Sequence, residues 1–443
     1  MKDHARQLVL EILGEIDGEQ MFSHVLLQRT FDQNNLSDVD RRFVTHLVYG
    51  VLENKFLLDF YIRKLSTVRF GKLNRDVVNS LRMGIFQIEF MSRVPDSAAV
   101  NESVKLVERR YSGFVNGILR NFIRKRETLV LPDRKAHPVT HLSIQYSYPE
   151  WLVQRWIKDF GEPFAETLLA AGNEIPDLCI RTNTLKTSRE ALIERFQSAG
   201  IEAEAGWIPE ALILKGVKNP SVQSLPGFKE GLFQIQDISS MCVGHVSKVK
   251  PGDFVVDVCA APGGKSTHAA QLMNNKGTVI SRDLYPHKLE KIKENVNRLG
   301  IGIVQTEVFN AEEFDHTMRR KADVVLVDAP CSGLGIVRRK PDIKYNKTPE
   351  DIESLTAIQK RILSTACEYV KPGGTLIYST CTIGTAENGD IVKAFLEHHK
   401  DFSHWPILSD EGIQGTDESG NVQLLPNVNH TDGFFIARLK RDQ

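Results

Sequence analysis

The stretch Val255-Val256-Asp257-Val258-Cys259-Ala260-Ala261-Pro262-Gly263-Gly264-Lys265-Ser266-Thr267 decides the fold. A valine-rich run closes on an aspartate, small residues take over, and a helical pattern starts near Gly264. Small side chains after a strand let the backbone approach a ligand closely, and the free N–H groups of the next helix can face it. Outward from this point the same alternation recurs. Strands are expected at 254–258, 278–283, 303–308, 324–328 and 375–380, with helical stretches between them. Val/Ile-rich strands alternating with helices predict a parallel, doubly wound α/β sheet. The final apolar run, 433–439, has no helix after it and is expected to pair antiparallel at the end of the sheet. Ligands bind such sheets at the carboxyl ends of strands where the strand order reverses, here beside the first strand.

The first third of the chain has a different period. Leu8, Val9, Ile12, Leu13 and Ile16 fall at helical spacing. Ser37 is placed to cap a helix starting at Asp38, with Asp40 in its first turn. Further helical stretches carry Val44 to Leu52, Val77 to Ile88, about 97–111, and Phe114 to Phe122. Together they predict an all-α domain over residues 1–126. Residues 127–150 hold three prolines and few periodic positions, and read as a linker. Residues 151–240, with a helix at 151–172, a strand at 178–183, a helix at 188–199 and a strand at 212–214, read as a small α+β module. Residues 241–443 form the α/β domain.

Composition limits the function. The chain has 443 residues, 56 basic and 56 acidic, and 41% hydrophobic residues. No run of ~18 apolar residues suggests a membrane span, and Met1 to Arg6 lead into no apolar signal block, so a cytoplasmic protein is expected. Zero net charge argues against general nucleic-acid glue, but a local patch is present. Arg93, Lys105, Arg109, Arg110, Arg120, Arg124, Lys125 and Arg126 outnumber Asp96, Glu102 and Glu108 within residues 93–126. That stretch is either a solvated helix face or a phosphate contact. Six cysteines, at 179, 242, 259, 331, 367 and 381, lack zinc-finger spacing, so free thiols and no metal are expected.

Two cofactors compete for the loop. Gly264-Lys265-Ser266 matches the end of a Walker A phosphate loop, and 324–328 fits its Walker B strand. Walker A needs a glycine where Cys259 stands, and Pro262 removes a backbone N–H. A nucleoside cofactor fits better, because Asp283 ends the second strand 19 residues after Gly264, where a carboxylate meets ribose hydroxyls. The dinucleotide pattern Gly-x-Gly-x-x-Gly is absent. S-adenosylmethionine has no phosphate and satisfies both conditions. Cys259, Ala260, Ala261, Pro262, Gly263, Gly264, Lys265 and Asp283 are then its candidate binding residues.

Strand four ends Asp328-Ala329-Pro330-Cys331 and strand five ends Ser379-Thr380-Cys381. Adjacent strand ends bring both thiols into one pocket. A thiolate beside a methyl sulfonium suits the ring carbon of cytosine. Addition to carbon 6 loads electron density on carbon 5, which takes the methyl; loss of the carbon 5 proton and of the thiol restores the ring. The attacking thiolate calls for positive charge nearby. Asp328 is placed to bond the ring nitrogen and exocyclic amine.

Cys259–Lys265, Asp328–Cys331 and Thr380-Cys381 resemble the motifs of the RNA 5-methylcytosine methyltransferase family. The resemblance implies a Rossmann-like catalytic domain, with Cys381 as nucleophile and Cys331 assisting product release. Val100–Val104 and Phe114–Leu119 resemble the RNA-binding antitermination factor NusB, which implies an RNA-binding N-terminal domain. Arg181-Thr182-Asn183, Gly231–Asp237 and the basic loop Arg338–Lys344 also match the family pattern. The loop is expected beside the pocket. A 16S ribosomal RNA substrate and a monomeric enzyme are implied. Alternatives are a transfer RNA substrate, an inactive RNA-binding scaffold and an NTPase. The family's adenine-contacting aspartate is Asn310 here, whose amide oxygen still accepts a hydrogen bond. The family's proline before Glu-Asn is Ala386, read as a matter of loop stiffness.

Overall fold

The computed structural model describes residues 3–19, 21–217 and 222–442. The chain forms two compact units, 1–173 with 339–346, and 174–338 with 347–443.

The first unit is all helix: α1 (His4–Glu19), α2 (Ser23–Gln33), α3 (Asp38–Glu53), α4 (Lys55–Leu65), α5 (Arg75–Phe90), α6 (Asp96–Leu106), α7 (Arg109–Lys125), α8 (Pro138–Tyr146), α9 (Glu150–Phe160) and α10 (Glu162–Ala171). The Ser37 side chain accepts from the Asp40 N–H at the start of α3, as expected, and Asn74 does the same for α5. Val9, Leu47, Val48, Leu81, Ile85, Val115, Leu119 and Phe122 are fully or almost fully buried in one core. Gly50 lets α3 approach Phe86, since a Cβ there would lie 1.9 Å from the ring edge. The stretch 97–111 is two helices, because Val107 and Glu108 turn extended between α6 and α7.

The stretch 127–150, read as a linker, instead carries α8, which packs on α4. Pro138, one of the three prolines in that stretch, sits in the first turn, where a helix has no N–H to lose. α9 and α10, assigned to the small module, belong to the helical unit. The segment 339–346, read from the sequence as part of a basic loop, also joins this unit. Asp342 and Lys344 are fully buried. Asp342 accepts from the Ser23 N–H and hydroxyl at the start of α2. Lys344 Nζ donates to Glu53 O at the end of α3 (3.1 Å), Tyr146 O at the end of α8 (3.3 Å) and Asn173 Oδ1 (2.9 Å). An anion at a helix start and a cation at two helix ends complement the helix dipoles. Burial lowers the Lys344 amine to about 7 and raises the Glu53 carboxyl to about 7.

The second unit begins with an antiparallel sheet of order β2-β3-β1-β4, built from β1 (Leu178–Thr182), β2 (Ala203–Ala205), β3 (Ala211–Leu214) and β4 (Phe233–Ile235), with α11 (Arg189–Ser198). The large sheet follows. Its strands are β5 (Phe254–Asp257), β6 (Thr278–Asp283), β7 (Val304–Val308), β8 (Ala322–Asp328), β9 (Val370–Thr380), β10 (Phe402–His404), β11 (Val422–Leu424) and β12 (Phe434–Arg441). Helices α12 (Ile238–Ser247), α13 (Gly264–Leu272), α14 (Pro286–Leu299), α15 (Pro349–Ala366) and α16 (Gly389–His398) accompany them. The order is β10-β12-β9-β8-β5-β6-β7, with β11 on β12. β5 to β9 pair parallel and β12 runs antiparallel to β9, as expected, but β12 does not end the sheet, because β10 pairs on its other side. The order reverses at β5, which puts the carboxyl ends of β5, β6, β8 and β9 around one crevice. No described helix is long and apolar enough to cross a membrane.

Candidate active site

The loop after β5 turns into α13 at Gly263, whose φ of +95° suits glycine and whose Cβ would press on Ile292 at 3.1 Å. Asp283 closes the loop from the end of β6. Its Oδ2 accepts from the Ala261 N–H (3.2 Å) and its Oδ1 from the Tyr285 N–H (3.3 Å), with Lys288 Nζ 3.7 Å away. Beneath the loop, Asp257 accepts from the Ser266 hydroxyl at 2.6 Å, and burial pushes its carboxyl up to about 7. Burial, with Asp257 second, also pushes the Cys259 thiol well above its usual range. Asn310, just beyond β7, uses its amide to form a turn, with Oδ1 accepting from the Glu312 N–H and Nδ2 donating to Glu313.

Lys265 reaches from α13 to the end of β8, where its Nζ donates to Asp328 Oδ2 at 2.6 Å and lies 5.1 Å from the Phe434 ring centre. Ser379 donates to Asp328 Oδ1 at 2.9 Å. Asp328 is thus oriented by protein groups on both oxygens, and each keeps a lone pair for a further partner. Cys331 and Cys381 lie on the two loops that follow β8 and β9, with their sulfurs 3.3 Å apart. The same loops join through Ser332 and Thr382, whose hydroxyls are 2.8 Å apart, and through the Gly335 N–H on Cys381 O at 3.0 Å. The hydrogen bond with Cys381, followed by burial, raises the Cys331 thiol well above its ordinary value. Cys331 is therefore held as a thiol.

The contacts of three groups of residues escaped the sequence reading. Arg181 on β1 is fully buried and donates to Gly264 O (2.7 Å), Thr267 Oγ1 (3.0 Å), Gln271 Oε1 (3.2 Å) and Gln236. It ties the small sheet to the helix that carries the loop, and burial lowers it to about 9. Glu210, His245 and His268 place their donor atoms within 4.8 Å of one another. The carboxylate accepts from both imidazoles, and burial, then Arg181, holds His268 down to about 4. These residues are 58 positions apart at most, and no local pattern links them. Glu387 and Asn388, read only for stiffness, are 1% exposed and bonded to both cysteine loops. Arg338, at the start of the expected basic loop, is paired with Asp432 at 2.8 Å and Asp237 at 3.6 Å.

In the helical unit, Arg109, Arg110, Arg120, Arg124, Lys125 and Arg126 are all exposed along and just beyond α7. Arg110 pairs with Glu108, and Arg120 donates to Asn116.

Residues 245–440 match the family described as 16S rRNA methyltransferase RsmB/F, and residues 3–124 match the NusB family. Residues 148–219 match the ferredoxin-like domain of RsmF/B-like methyltransferases. A probable ribosomal RNA small subunit methyltransferase B of Bacillus subtilis is 38% identical over 99% of both chains. The chain belongs to the ribosomal RNA small subunit methyltransferase B family. A second such methyltransferase, from Pectobacterium atrosepticum, is 33% identical over 99% of this chain and 98% of its own. The crystal structure of PH0851 superposes with a TM-score of 0.81 at 27% identity over the full length of both chains. NSun6 from Pyrococcus horikoshii, solved with SFG, gives 0.60 at 25% identity over 67% of this chain and 98% of that one. This methyltransferase therefore has a NusB-family helical domain and a Rossmann-like catalytic domain, as the sequence implied, and its small α+β module is ferredoxin-like.

Proposed function

We propose that this methyltransferase modifies carbon 5 of a cytosine in 16S ribosomal RNA, as a cytoplasmic monomer, with S-adenosylmethionine as donor. The observation that carries the reading is the pair of thiols 3.3 Å apart, on adjacent strand ends beside the 259–265 loop. The residues fit the cofactor. Asp283 is a buried carboxylate at a strand end, the loop is lined by small residues, and Asn310 stands at the next strand end. Asp283 would take the ribose hydroxyls and Asn310 the adenine amine, with residues 259–265 and Asp328 around the remainder. Bound there, the cofactor supplies an electrophilic methyl group.

Cys381 as thiolate adds to carbon 6, and the electron pair of the 5,6 double bond moves to carbon 5. Carbon 5 forms the new bond to the methyl, whose bond to the donor's sulfonium sulfur would break with its electron pair left on that sulfur. A base then takes the carbon 5 proton, the sulfur–carbon 6 bond breaks, and its electrons return to Cys381. Cys331, a protonated thiol beside the nucleophile, serves the release step. Asp328, held by Lys265 and Ser379, orients the base. The target nucleotide must leave any stack to reach these groups. Residues 1–126 act as the RNA-binding domain, joined by the small module.

Bisulfite sequencing of 16S ribosomal RNA from a deletion strain tests the substrate: one cytosine should lose protection. Purified Cys381→Ala should neither methylate RNA nor form an adduct. Cys331→Ala should methylate and then accumulate as a protein–RNA adduct that survives a denaturing gel. An adduct in Cys381→Ala alone would reverse the roles. Full activity in both variants would remove the covalent mechanism.

A further inference from the structure

Glu387 and Asn388 lie between β9 and α16. Each is 1% exposed, and each faces a different cysteine loop. Glu387 Oε1 accepts from the Ser332 N–H (2.8 Å) and from Gln359 Nε2 (3.0 Å), and its Oε2 accepts from the Ser332 hydroxyl (2.6 Å). The same Gln359 Nε2 donates to Pro330 O at 2.9 Å. The peptide groups on both sides of Cys331 are therefore gripped, one directly by Glu387 and one through Gln359. Asn388 faces the other way. Its Oδ1 accepts from the Thr380 hydroxyl (2.5 Å), and its Nδ2 donates to Thr382 O (3.2 Å) and to Gln423 Oε1 (3.2 Å). Those bonds grip the residues on both sides of Cys381.

The choice of carboxylate has a physical reason. All three groups that reach Glu387 are donors, and an ionised carboxylate is acceptor-only. An amide of the same shape would turn an NH2 toward one of those donors. Because Ser332 gives its proton to Glu387, its oxygen is left to accept from Thr382, so one donor chain runs from the Cys381 loop through Ser332 to Glu387. The Tyr378 hydroxyl, donating to Glu387 O at 2.6 Å, pins the backbone of the pair to β9. Burying a carboxylate is costly unless its bonds are made. Spending one here, among donors from the Cys331 loop, is best explained by a need to hold that loop.

We propose that Glu387 and Asn388 are positioning residues with divided tasks: Glu387 sets the placement of Cys331, and Asn388 sets the placement of Cys381. The inference rests on the covalent reading above for its importance, but its test does not depend on which cysteine attacks. Glu387→Gln should behave like Cys331→Ala, and Asn388→Ala like Cys381→Ala, in one set of assays on the full-length enzyme. Methyl transfer to RNA, adduct accumulation on denaturing gels and trapping on RNA containing 5-fluorocytidine are measured together. Each variant should lose about 10- to 100-fold in kcat, the size of one charge-assisted hydrogen bond for Glu387 and of two or three neutral ones together for Asn388. S-adenosylmethionine affinity should stay within about twofold in both. With the roles assigned above, Glu387→Gln accumulates adduct and still traps, whereas Asn388→Ala traps slowly. If Glu387→Gln fails to fold, Ser332→Ala, which removes one donor from the same carboxylate, should show the same phenotype more mildly. Equal losses of turnover and trapping in both variants, without adduct, would mean a general structural role and would overturn the proposal. So would unchanged kinetics. A swap of phenotypes between Cys331→Ala and Cys381→Ala, with each positioning variant still matching its own cysteine, would refute the role assignment and uphold this inference.

Discussion

Replacing Asp283 by alanine should weaken S-adenosylmethionine binding by about 10- to 150-fold. The carboxylate is 8% exposed at the end of β6, and both oxygens already accept backbone N–H groups, from Ala261 and Tyr285. In the proposed role it would meet the ribose in a fixed orientation, with no ordering left to do on binding. A hydrogen bond to a charged group contributes ~1.5–3 kcal/mol, and each ~1.4 kcal/mol is tenfold in affinity. Alanine also leaves the Ala261 N–H without its partner, which loosens the loop itself and moves the loss toward the upper end of the range. Asp283→Asn keeps one acceptor oxygen and should fall between wild type and alanine. Titration calorimetry reads both variants, and the thermal unfolding midpoint shows whether they are folded. Unchanged affinity in folded Asp283→Ala would remove Asp283 from the cofactor site. Tight binding of ATP in the same cell would revive the phosphate-loop reading.

Arg82→Leu should destabilise the helical unit by about 3–5 kcal/mol in denaturant melts, because it strands the buried Asp59, whose two oxygens Arg82 meets at 2.7 and 2.9 Å, while Asp17 keeps its pair with Lys55. Neutralising Arg109, Arg110, Arg120 and Arg124 together should lower RNA affinity and flatten its salt dependence without changing cofactor affinity; an unchanged salt slope would return α7 to a solvated face. Acid should weaken the catalytic unit through Glu411. Burial would raise its carboxyl, but hydrogen bonds from Arg438 and Lys248 win and hold it at about 2, below its ordinary 4.5. A depressed carboxyl stabilises above its unfolded value, and the contribution is lost as pH falls from 4.5 through 2. Glu411→Gln should remove that part of the pH dependence in unfolding midpoints, and an identical pH profile would contradict the assignment.

Local patterns carried the catalytic fold. Period-two and valine-rich runs are enough to place β5, β6, β8 and β9, because strands buried on both faces have to be apolar throughout. Cys259–Lys265, Asp283, Cys331 and Cys381 were legible for a related reason: each follows a strand end, and parallel sheets gather those ends at one crevice. The proline-marked stretch 127–150 misled, since one residue type both breaks a helix and starts one. Which applies depends on what the next turn buries, here Leu142 and Ser143 of α8.

Sequence by itself determined the alternation of elements, the helical N-terminal domain and which residues stand at the strand ends around the crevice. Each of these is written in spacing along the chain, and hydrophobic period and strand-end position are local properties. Tertiary structure alone decided the partners. Arg181 reaches α13 from a separate sheet, Glu387 and Asn388 grip loops up to 55 residues away, and 339–346 closes helix ends in a unit that begins about three hundred residues earlier. Buried polar groups have to find donors or acceptors wherever the fold supplies them. That requirement constrains geometry across the whole chain and leaves no period for a sequence to display.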